Sequence, residues 1–236
     1  MLLRSVRDAL LRLRLGPEAG VVVGASGGVD STVLLRILHG EGVPVVAVHV
    51  DYGLRPESAE DAAFVTAMAT TLGVPVVVRQ VALPASGNRQ EAAREARYAV
   101  FRAVAEAEGF DTVAVGHTAT DQAETVLLHL LRGAGQAGLG GMREERALSP
   151  GLRLVRPLLG TTRHEVEAFA RDQGWTWRED ASNATDAYRR NRLRHRVLPL
   201  LEEEGGPGTI RRIADAARRL QREADEVESI LDRVGT

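Results

Sequence analysis

Short runs of β-branched residues alternate, in the first half of the chain, with segments whose apolar residues recur at helical spacing. Because the strand-like runs are apolar at almost every position, we expect them to be buried on both faces, as in a parallel sheet. The pattern therefore predicts a Rossmann-like α/β fold with helices on both faces of the sheet. The predicted strands are Val21–Ala25, Val45–Val50, Val74–Val81 and Thr112–Gly116, and the predicted helices are Ser31–His39, Glu57–Leu72, Gln90–Glu108 and Asp121–Leu131.

The pattern changes after Gly133. Gly133–Gly141 is rich in glycine and predicts a loop. An extended piece at Arg153–Leu159 precedes a helix at Arg163–Gln173, which follows a candidate cap at Thr161 or Thr162.

The segment beyond Asp180 is predicted to be a polar loop, an arginine-dense stretch and two helices. The last helix, Thr209–Val234, carries a narrow apolar stripe. We expect such a stripe to pack against a single neighbour and to lead towards another domain or partner. The sequence thus predicts an α/β domain at 1–185 and a helical, arginine-rich extension at 186–236.

Composition excludes several classes of protein. The 236 residues contain no cysteine, which excludes disulfides, zinc knuckles, iron–sulfur clusters and sulfur transfer by a thiol. The formal net charge of −2 means that RNA contact would depend on local basic clusters. No apolar run reaches membrane-spanning length and no signal-peptide pattern is present, so we expect a cytoplasmic protein with no membrane partner.

The segment Ser26–Ser31 is the strongest chemical signal. It contains two adjacent glycines, two hydroxyls and Asp30 between a strand and a helix. Glycines let backbone N–H groups approach phosphate oxygens, and the helix dipole favours an anion there. A tight structural turn is the alternative. All 30 basic residues other than histidine are arginine, so this is not a Walker loop, which needs lysine.

Polar residues follow two further strands. His49 and Asp51 close the second strand, although a strand-ending histidine is often a structural hydrogen-bonding group. His117, Asp121 and Glu124 follow the fourth strand. Asp121 is a candidate Mg²⁺ ligand, together with Asp30, or a proton acceptor; acids in a first helical turn are also common as capping groups.

Two arginine-rich segments are candidate substrate contacts. Arg94 and Arg97 lie near the start of a helix, where a solvated helical face and an ATP or RNA pocket are equally compatible with the sequence. Five arginines fall within Arg189–Arg196. Such a run is usually solvated surface, but arginine forks suit phosphate, and we favour contact with the RNA backbone by Arg190, Arg192 and Arg194.

The loop Ser26–Ser31 resembles the pyrophosphate-binding loop of the N-type ATP pyrophosphatases, which have an adenine nucleotide α-hydrolase-like fold. Taken with His49–Arg55, Gly116–Thr125 and Asp180–Asn183, the chain is similar over about Val21 to Leu200 to the tRNA(Ile)-lysidine synthetases. The other segments that carry the resemblance are Arg94–Tyr98, Leu130–Gly135, Gly138–Met142, Arg156–Leu159 and Arg190–Arg194.

The resemblance implies an ATP-dependent carbon–nitrogen ligase. ATP adenylates the C2 oxygen of the wobble cytidine in the CAU anticodon of tRNA(Ile), and the ε-amine of free L-lysine then attacks C2 to give lysidine. Family members usually continue into a C-terminal tRNA-binding domain, so such a domain, or a homodimer, is left open as a partner.

The resemblance also assigns roles to the candidate residues. Asp30, Asp121 and Arg97 are the expected catalytic residues. Asp30 and Asp121 are also the expected Mg²⁺ ligands. The ATP-binding set is Ser26, Gly27, Gly28, Val29, Asp30, Ser31, His49 and His117, and the substrate-binding set is Asp51, Arg94, Arg97, Glu124, Arg190, Arg192 and Arg194.

Two other functions stay open. One is a different adenylating enzyme with the same loop, such as an NAD or GMP synthetase, which would leave the arginines of Arg189–Arg196 without a role. The other is a non-catalytic nucleotide-binding module, which would leave Asp30 and Asp121 unexplained.

Overall fold

The computed structural model describes residues 1–53, 58–84, 87–179 and 189–234, and these contain one six-stranded sheet. The strands are β1 (Val21–Gly24), β2 (Val45–Asp51), β3 (Val76–Gln80), β4 (Thr112–Ala114), β5 (Glu145–Ser149) and β6 (Leu152–Val155). They lie in the order β3-β2-β1-β4-β6-β5. Every neighbouring pair is parallel except β5 and β6, which are antiparallel.

The helices surround this sheet. They are α1 (Leu2–Arg12), α2 (Val29–Gly40), α3 (Ser58–Leu72), α4 (Arg89–Glu108), α5 (Ala119–Leu130), α6 (Gln136–Leu139), α7 (Arg163–Asp172), α8 (Arg189–Arg192), α9 (Leu198–Gly205) and α10 (Thr209–Val234). A π-helical turn at Leu193–Val197 joins α8 to α9. No helix in the described ranges is long and apolar enough to cross a membrane.

The sheet separates two apolar cores. Val21 and Val23 of β1 pack with α2 in one core, whereas Val22 packs with α4 in the other. Since successive side chains of a strand point to opposite faces, α2 and α4 lie on opposite faces of the sheet. Burial on both faces explains why the strands show no polar alternation.

The predicted parallel α/β sheet is confirmed. The four strands and four helices predicted in the first half are present, and their ends differ from the prediction by at most two residues. Thr162 is the N-cap of α7 and forms a capping box with Glu165. The antiparallel strand β5 was not predicted, because Glu145–Ser149 is short, polar and at the sheet edge.

The prediction that the last helix packs against a single neighbour is wrong. α10 packs against α5, α6 and α9, and Ala214 and Ala217 are buried in these contacts. Its distal apolar residues Val227, Ile230 and Leu231 are exposed. The apolar stripe of α10 is therefore covered over its first half only.

Candidate active site

The loop between β1 and α2 is closed by hydrogen bonds among its own polar groups. The backbone N–H of Ser26 donates to Ser31 Oγ at 3.1 Å, and Ser31 Oγ donates to the Gly28 carbonyl oxygen at 3.0 Å. Gly27 has φ +87°, a conformation that favours glycine. Gly28 is the N-cap of α2 and provides no side-chain cap. The first N–H groups of α2 are therefore free of a side-chain cap and suited to bind an anion.

Neighbouring elements hold this loop from outside. His49 is buried, and its Nδ1 lies 2.8 Å from the Ala25 carbonyl oxygen. The backbone N–H of Arg178 donates to the Gly27 carbonyl oxygen at 2.9 Å. A Cβ at Gly116 would lie 2.9 Å from the carbonyl carbon of Asp30, so the chain leaving β4 can approach α2 only with glycine there. His49 thus contacts the loop backbone, and its contact with a nucleotide stays a prediction.

Asp30 lies in the first turn of α2 and carries an unusual carboxylate. Its Oδ2 accepts a hydrogen bond from Arg163 at 3.2 Å, while its Oδ1 is buried with no hydrogen-bond partner. Burial raises the pKa of Asp30 to about 7; Arg163 opposes this shift and Asp121 adds to it. A buried, unsatisfied carboxylate oxygen beside an anion-binding loop fits a cation, because a bound cation would supply the missing partner.

Asp121 is the N3 residue of a capping box at the start of α5. Its Oδ2 accepts hydrogen bonds from the backbone N–H of Thr118 at 2.8 Å and from Thr118 Oγ1 at 2.9 Å. Its Oδ1 accepts from Arg190 at 3.3 Å and from Arg194 at 3.1 Å. Burial opposes its charge, but His117 and the two guanidinium groups outweigh burial and lower its pKa.

Glu124 is the most deeply buried carboxylate of the site. Its side chain has 0% exposure and accepts hydrogen bonds from Arg190 Nε at 2.6 Å and from Arg194 Nε at 2.5 Å. Arg190 and Arg194 therefore each bridge Asp121 and Glu124. We call these four residues the ion-pair cluster. The structure places both arginines against carboxylates, whereas Arg192 of the same segment has an exposed side chain.

The sequence predicts Asp30 and Asp121 as Mg²⁺ ligands. Among the described residues, no group of three or more His, Cys, Asp or Glu side chains is arranged to hold a metal ion. Both oxygens of Asp121 are engaged by protein donors, but Oδ1 of Asp30 is not. Asp30 is therefore the better fit to a cation, and the joint role stays a prediction.

A group of cationic residues adjoins the other side of the site. His117 Nδ1 accepts a hydrogen bond from Arg156 Nε at 3.0 Å, and burial lowers the pKa of His117 to about 4. Since that imidazole is neutral near pH 7, it acts as an acceptor for Arg156. Arg94 and Arg97 lie over the ring of Tyr98, with the guanidinium carbons 5.5 and 5.8 Å from its centroid.

The remaining predicted residues are more peripheral. Asp51 Oδ1 accepts a hydrogen bond from the backbone N–H of Gly53 at 2.8 Å at the end of β2. Arg55 and Asp180–Asn183, which contribute to the family resemblance, lie outside the described residues.

Arg163 and Arg178 are not among the residues predicted for the site, and Arg156 enters the prediction only as part of a segment that carries the family resemblance. The sequence does contain a hint for Arg163. It stands at the first position of a predicted helix, where the helix dipole disfavours a cation. Such a cation needs a nearby carboxylate, and Asp30 provides it. Arg156 and Arg178 carry no such signal, since their partners come from distant segments.

Comparison with known proteins gives one family. A family model described as a PP-loop domain matches residues 5–201. The tRNA(Ile)-lysidine synthase of Solibacter usitatus is 42% identical over 218 residues, which cover 92% of this chain and 48% of that protein. The enzyme of the same name from Gloeobacter violaceus is 38% identical over 239 residues, covering 97% and 73%.

The chain spans about half the length of several of these relatives. For the tRNA(Ile)-lysidine synthase of Thermus thermophilus, the match is 42% identical over 229 residues and covers 94% of this chain but 42% of the relative.

Two solved structures share the fold. The U34-tRNA thiolase NcsA from Methanococcus maripaludis, solved with its iron–sulfur cluster, superimposes with a TM-score of 0.79 at 20% identity, covering 93% of this chain and 77% of that one. The NMN synthetase from Francisella tularensis gives a TM-score of 0.53 at 13% identity, covering 92% and 90%. At these identities, the similarity shows the fold alone.

Proposed function

The chain belongs to the tRNA(Ile)-lysidine synthase family of PP-loop proteins, and we propose that it forms lysidine at the wobble position of tRNA(Ile). In this reaction ATP adenylates the C2 oxygen of the wobble cytidine in the CAU anticodon and pyrophosphate leaves. The ε-amine of L-lysine then attacks C2 and AMP leaves. The observation that carries the proposal is the adjacency of an anion-binding loop to the carboxylates Asp30 and Asp121.

The loop is suited to the first step. In-line attack on the α-phosphorus places negative charge on the departing pyrophosphate. The N–H groups at the start of α2 and the hydroxyl of Ser26 are available to donate to such an anion, while Ser31 Oγ holds the loop by donating to the Gly28 carbonyl oxygen. Mg²⁺, which we assign to Asp30, would supply charge neutralisation for the phosphates when bound. The carboxylate of Asp30 is otherwise disfavoured by its burial.

Asp121 is suited to the second step. Its lowered pKa keeps the carboxylate ionised at neutral pH, so it can hold the lysine ε-ammonium group. We also assign to Asp121 the proton that the amine loses as it attacks C2. The ion-pair cluster contains two carboxylates and two guanidinium groups, which balance in charge. We therefore propose that Arg190 or Arg194 must turn towards an RNA phosphate before the cluster can attract a cationic substrate.

A pyrophosphate-release assay tests the proposal. We expect ATP turnover to require a tRNA(Ile) transcript with a CAU anticodon, and to be lost with an otherwise identical transcript that carries uridine at the wobble position. Asp121→Asn should retain RNA-dependent pyrophosphate release more fully than lysidine formation, because we assign the Asp121 carboxylate to the second step, the attack of lysine on C2. Glu106→Gln removes an exposed carboxylate of α4 and is the control. Turnover that is indifferent to the wobble base would contradict the proposed substrate.

A further inference from the structure

Four guanidinium groups converge on one tyrosine beside the candidate active site. Arg94, Arg97 and Arg146 place their guanidinium carbons 5.5, 5.8 and 5.2 Å from the centroid of the Tyr98 ring. Arg156 is close enough to Tyr98 for the phenol to affect its pKa. We call these five residues the Tyr98 cluster. Because they come from α4, β5 and the end of β6, the fold rather than one segment assembles them.

The cluster has no anionic partner within the described ranges. No described carboxylate lies within 4.0 Å of any of its four guanidinium groups, although other arginines of the chain form such pairs. Arg156 is 2% exposed, and its side chain donates to neutral acceptors, which are His117 Nδ1, the Arg143 carbonyl oxygen and the Tyr98 hydroxyl. Nε of Arg146 is buried and has no hydrogen-bond partner.

This arrangement is costly without a ligand. Four like charges repel each other, and a buried guanidinium loses its hydration. Burial lowers the pKa of Arg156 to about 10, with Arg146 and Arg94 lowering it further and Tyr98 opposing the shift. The face of the Tyr98 ring offsets part of the repulsion through cation–π contacts. A bound anion would neutralise the remaining repulsion between the guanidinium groups. It would also supply the hydrogen-bond acceptor that Arg146 Nε lacks.

The position of the cluster favours a different anion from the one bound by the loop between β1 and α2. α4 and α2 lie on opposite faces of the sheet, so Arg94, Arg97 and Tyr98 belong to the helix across the sheet from α2. Arg156 connects the cluster to His117, which is four residues before Asp121. A substrate with its reacting atom near Asp121 would therefore present a second anionic group to the cluster.

We propose that the Tyr98 cluster binds a phosphodiester group of the RNA backbone next to the nucleotide that is modified. Arginine forks are well matched to two phosphate oxygens, and RNA supplies such groups on both sides of every base. Tyr98 is a positioning residue in this account, since its ring holds three of the guanidinium groups. The proposal rests on the proposed function, because that function makes RNA the substrate.

Binding of an anticodon stem-loop RNA with a CAU loop, measured against salt concentration, tests the site. Arg146→Gln and Arg94→Gln each remove one charge without replacing the side chain's polar end by an apolar group. We expect each to weaken RNA binding about tenfold and to reduce the slope of log Kd against log salt by about 0.7. ATP affinity, measured on the same variants without RNA, should not change. Arg102→Gln removes an exposed arginine from the same helix and is the control.

Tyr98→Phe and Tyr98→Leu separate the ring from its hydroxyl. The phenylalanine variant keeps the cation–π platform and should bind the stem-loop nearly as well as the parent chain. The leucine variant should lose affinity, and circular dichroism checks that both are folded. Equal affinity for the leucine variant would contradict the positioning role.

Three outcomes would overturn the phosphate site: an unchanged salt slope in both arginine variants, an equal loss in Arg102→Gln, or a loss of ATP affinity with RNA binding intact. The last result would assign the cluster to the nucleotide. If the parent chain binds the stem-loop but forms no lysidine on tRNA(Ile), the proposed function fails. A selective loss of RNA binding in Arg146→Gln would still support the site.

Discussion

Replacing Arg194 by glutamine is expected to destabilise the protein more than the same change at Arg190, although both arginines contact the same two carboxylates. The reason is burial. The Arg194 side chain is 20% exposed and that of Arg190 is 42% exposed, while Glu124 is fully buried. When Arg190 is removed, water can solvate part of the carboxylate that it contacted. When Arg194 is removed, the Glu124 oxygen that it contacted stays largely out of reach of water.

The expected magnitudes follow from that difference. Breaking a buried ion pair typically costs about 3–5 kcal/mol when the remaining charge has no partner. Arg190 still pairs with Glu124 in Arg194→Gln, so we expect a loss below that range, about 2–3 kcal/mol. Arg190→Gln removes a more exposed contact and should cost about 1 kcal/mol. For a chain of this size, 1 kcal/mol shifts the Tm by about 2–4 °C.

Urea and thermal unfolding, followed by circular dichroism, measure both variants. Arg189→Gln, which removes an exposed arginine of the same segment, is the control and should stay within about 0.5 kcal/mol of the parent chain. Equal losses for Arg190→Gln and Arg194→Gln, or a larger loss for Arg190→Gln, would refute the reasoning from burial.

Three further predictions concern the loop and its surroundings. Asp30→Asn should reduce pyrophosphate release on the order of 10²-fold or more in a protein that is still folded, and turnover like that of the parent would remove Asp30 from the reaction. Gly116→Ala should impair ATP binding, because its Cβ would press on the backbone of Asp30, whereas Gly40→Ala, with open space around it, should not. The pKa of His117 is about 4 in the folded protein, below the ordinary value of 6.5. As pH falls below about 6.5, the unfolded chain therefore binds a proton that the folded chain does not. The free energy of unfolding should decrease between about pH 6.5 and pH 4 as a result. His117→Asn should flatten that part of the stability profile in urea titrations, and an unchanged profile would show that His117 is not the group responsible.

The parts of this fold that depend on local sequence could be predicted. Runs such as Val21–Val23 are apolar at each position because both faces of the sheet are covered, and this pattern identifies a buried parallel strand. The predicted segment Ser26–Ser31 does connect a strand to a helix, and its last three residues form the first turn of α2. Asp121 in a first helical turn was recognised as a possible cap, and it forms one.

The contacts that depend on distant segments could not be predicted. Asp30 and Arg163 are 133 residues apart in sequence, and Glu124 and Arg194 are 70 apart. The spacing of apolar residues along the chain does not reveal such pairs, because they depend on how the helices pack in three dimensions. The arginines of Arg189–Arg196 show the difficulty most clearly, since a guanidinium that pairs with Glu124 and one that meets RNA look alike in sequence.

The central claim is tested most directly by mass spectrometry of the wobble nucleoside. The protein is incubated with ATP, L-lysine and a tRNA(Ile) transcript carrying a CAU anticodon, and the RNA is digested to nucleosides. The account predicts that cytidine at this position gains the mass of lysine less one water, and that omission of ATP or lysine abolishes the gain. An unmodified cytidine in the presence of all three substrates, with a folded protein that binds ATP, would contradict it.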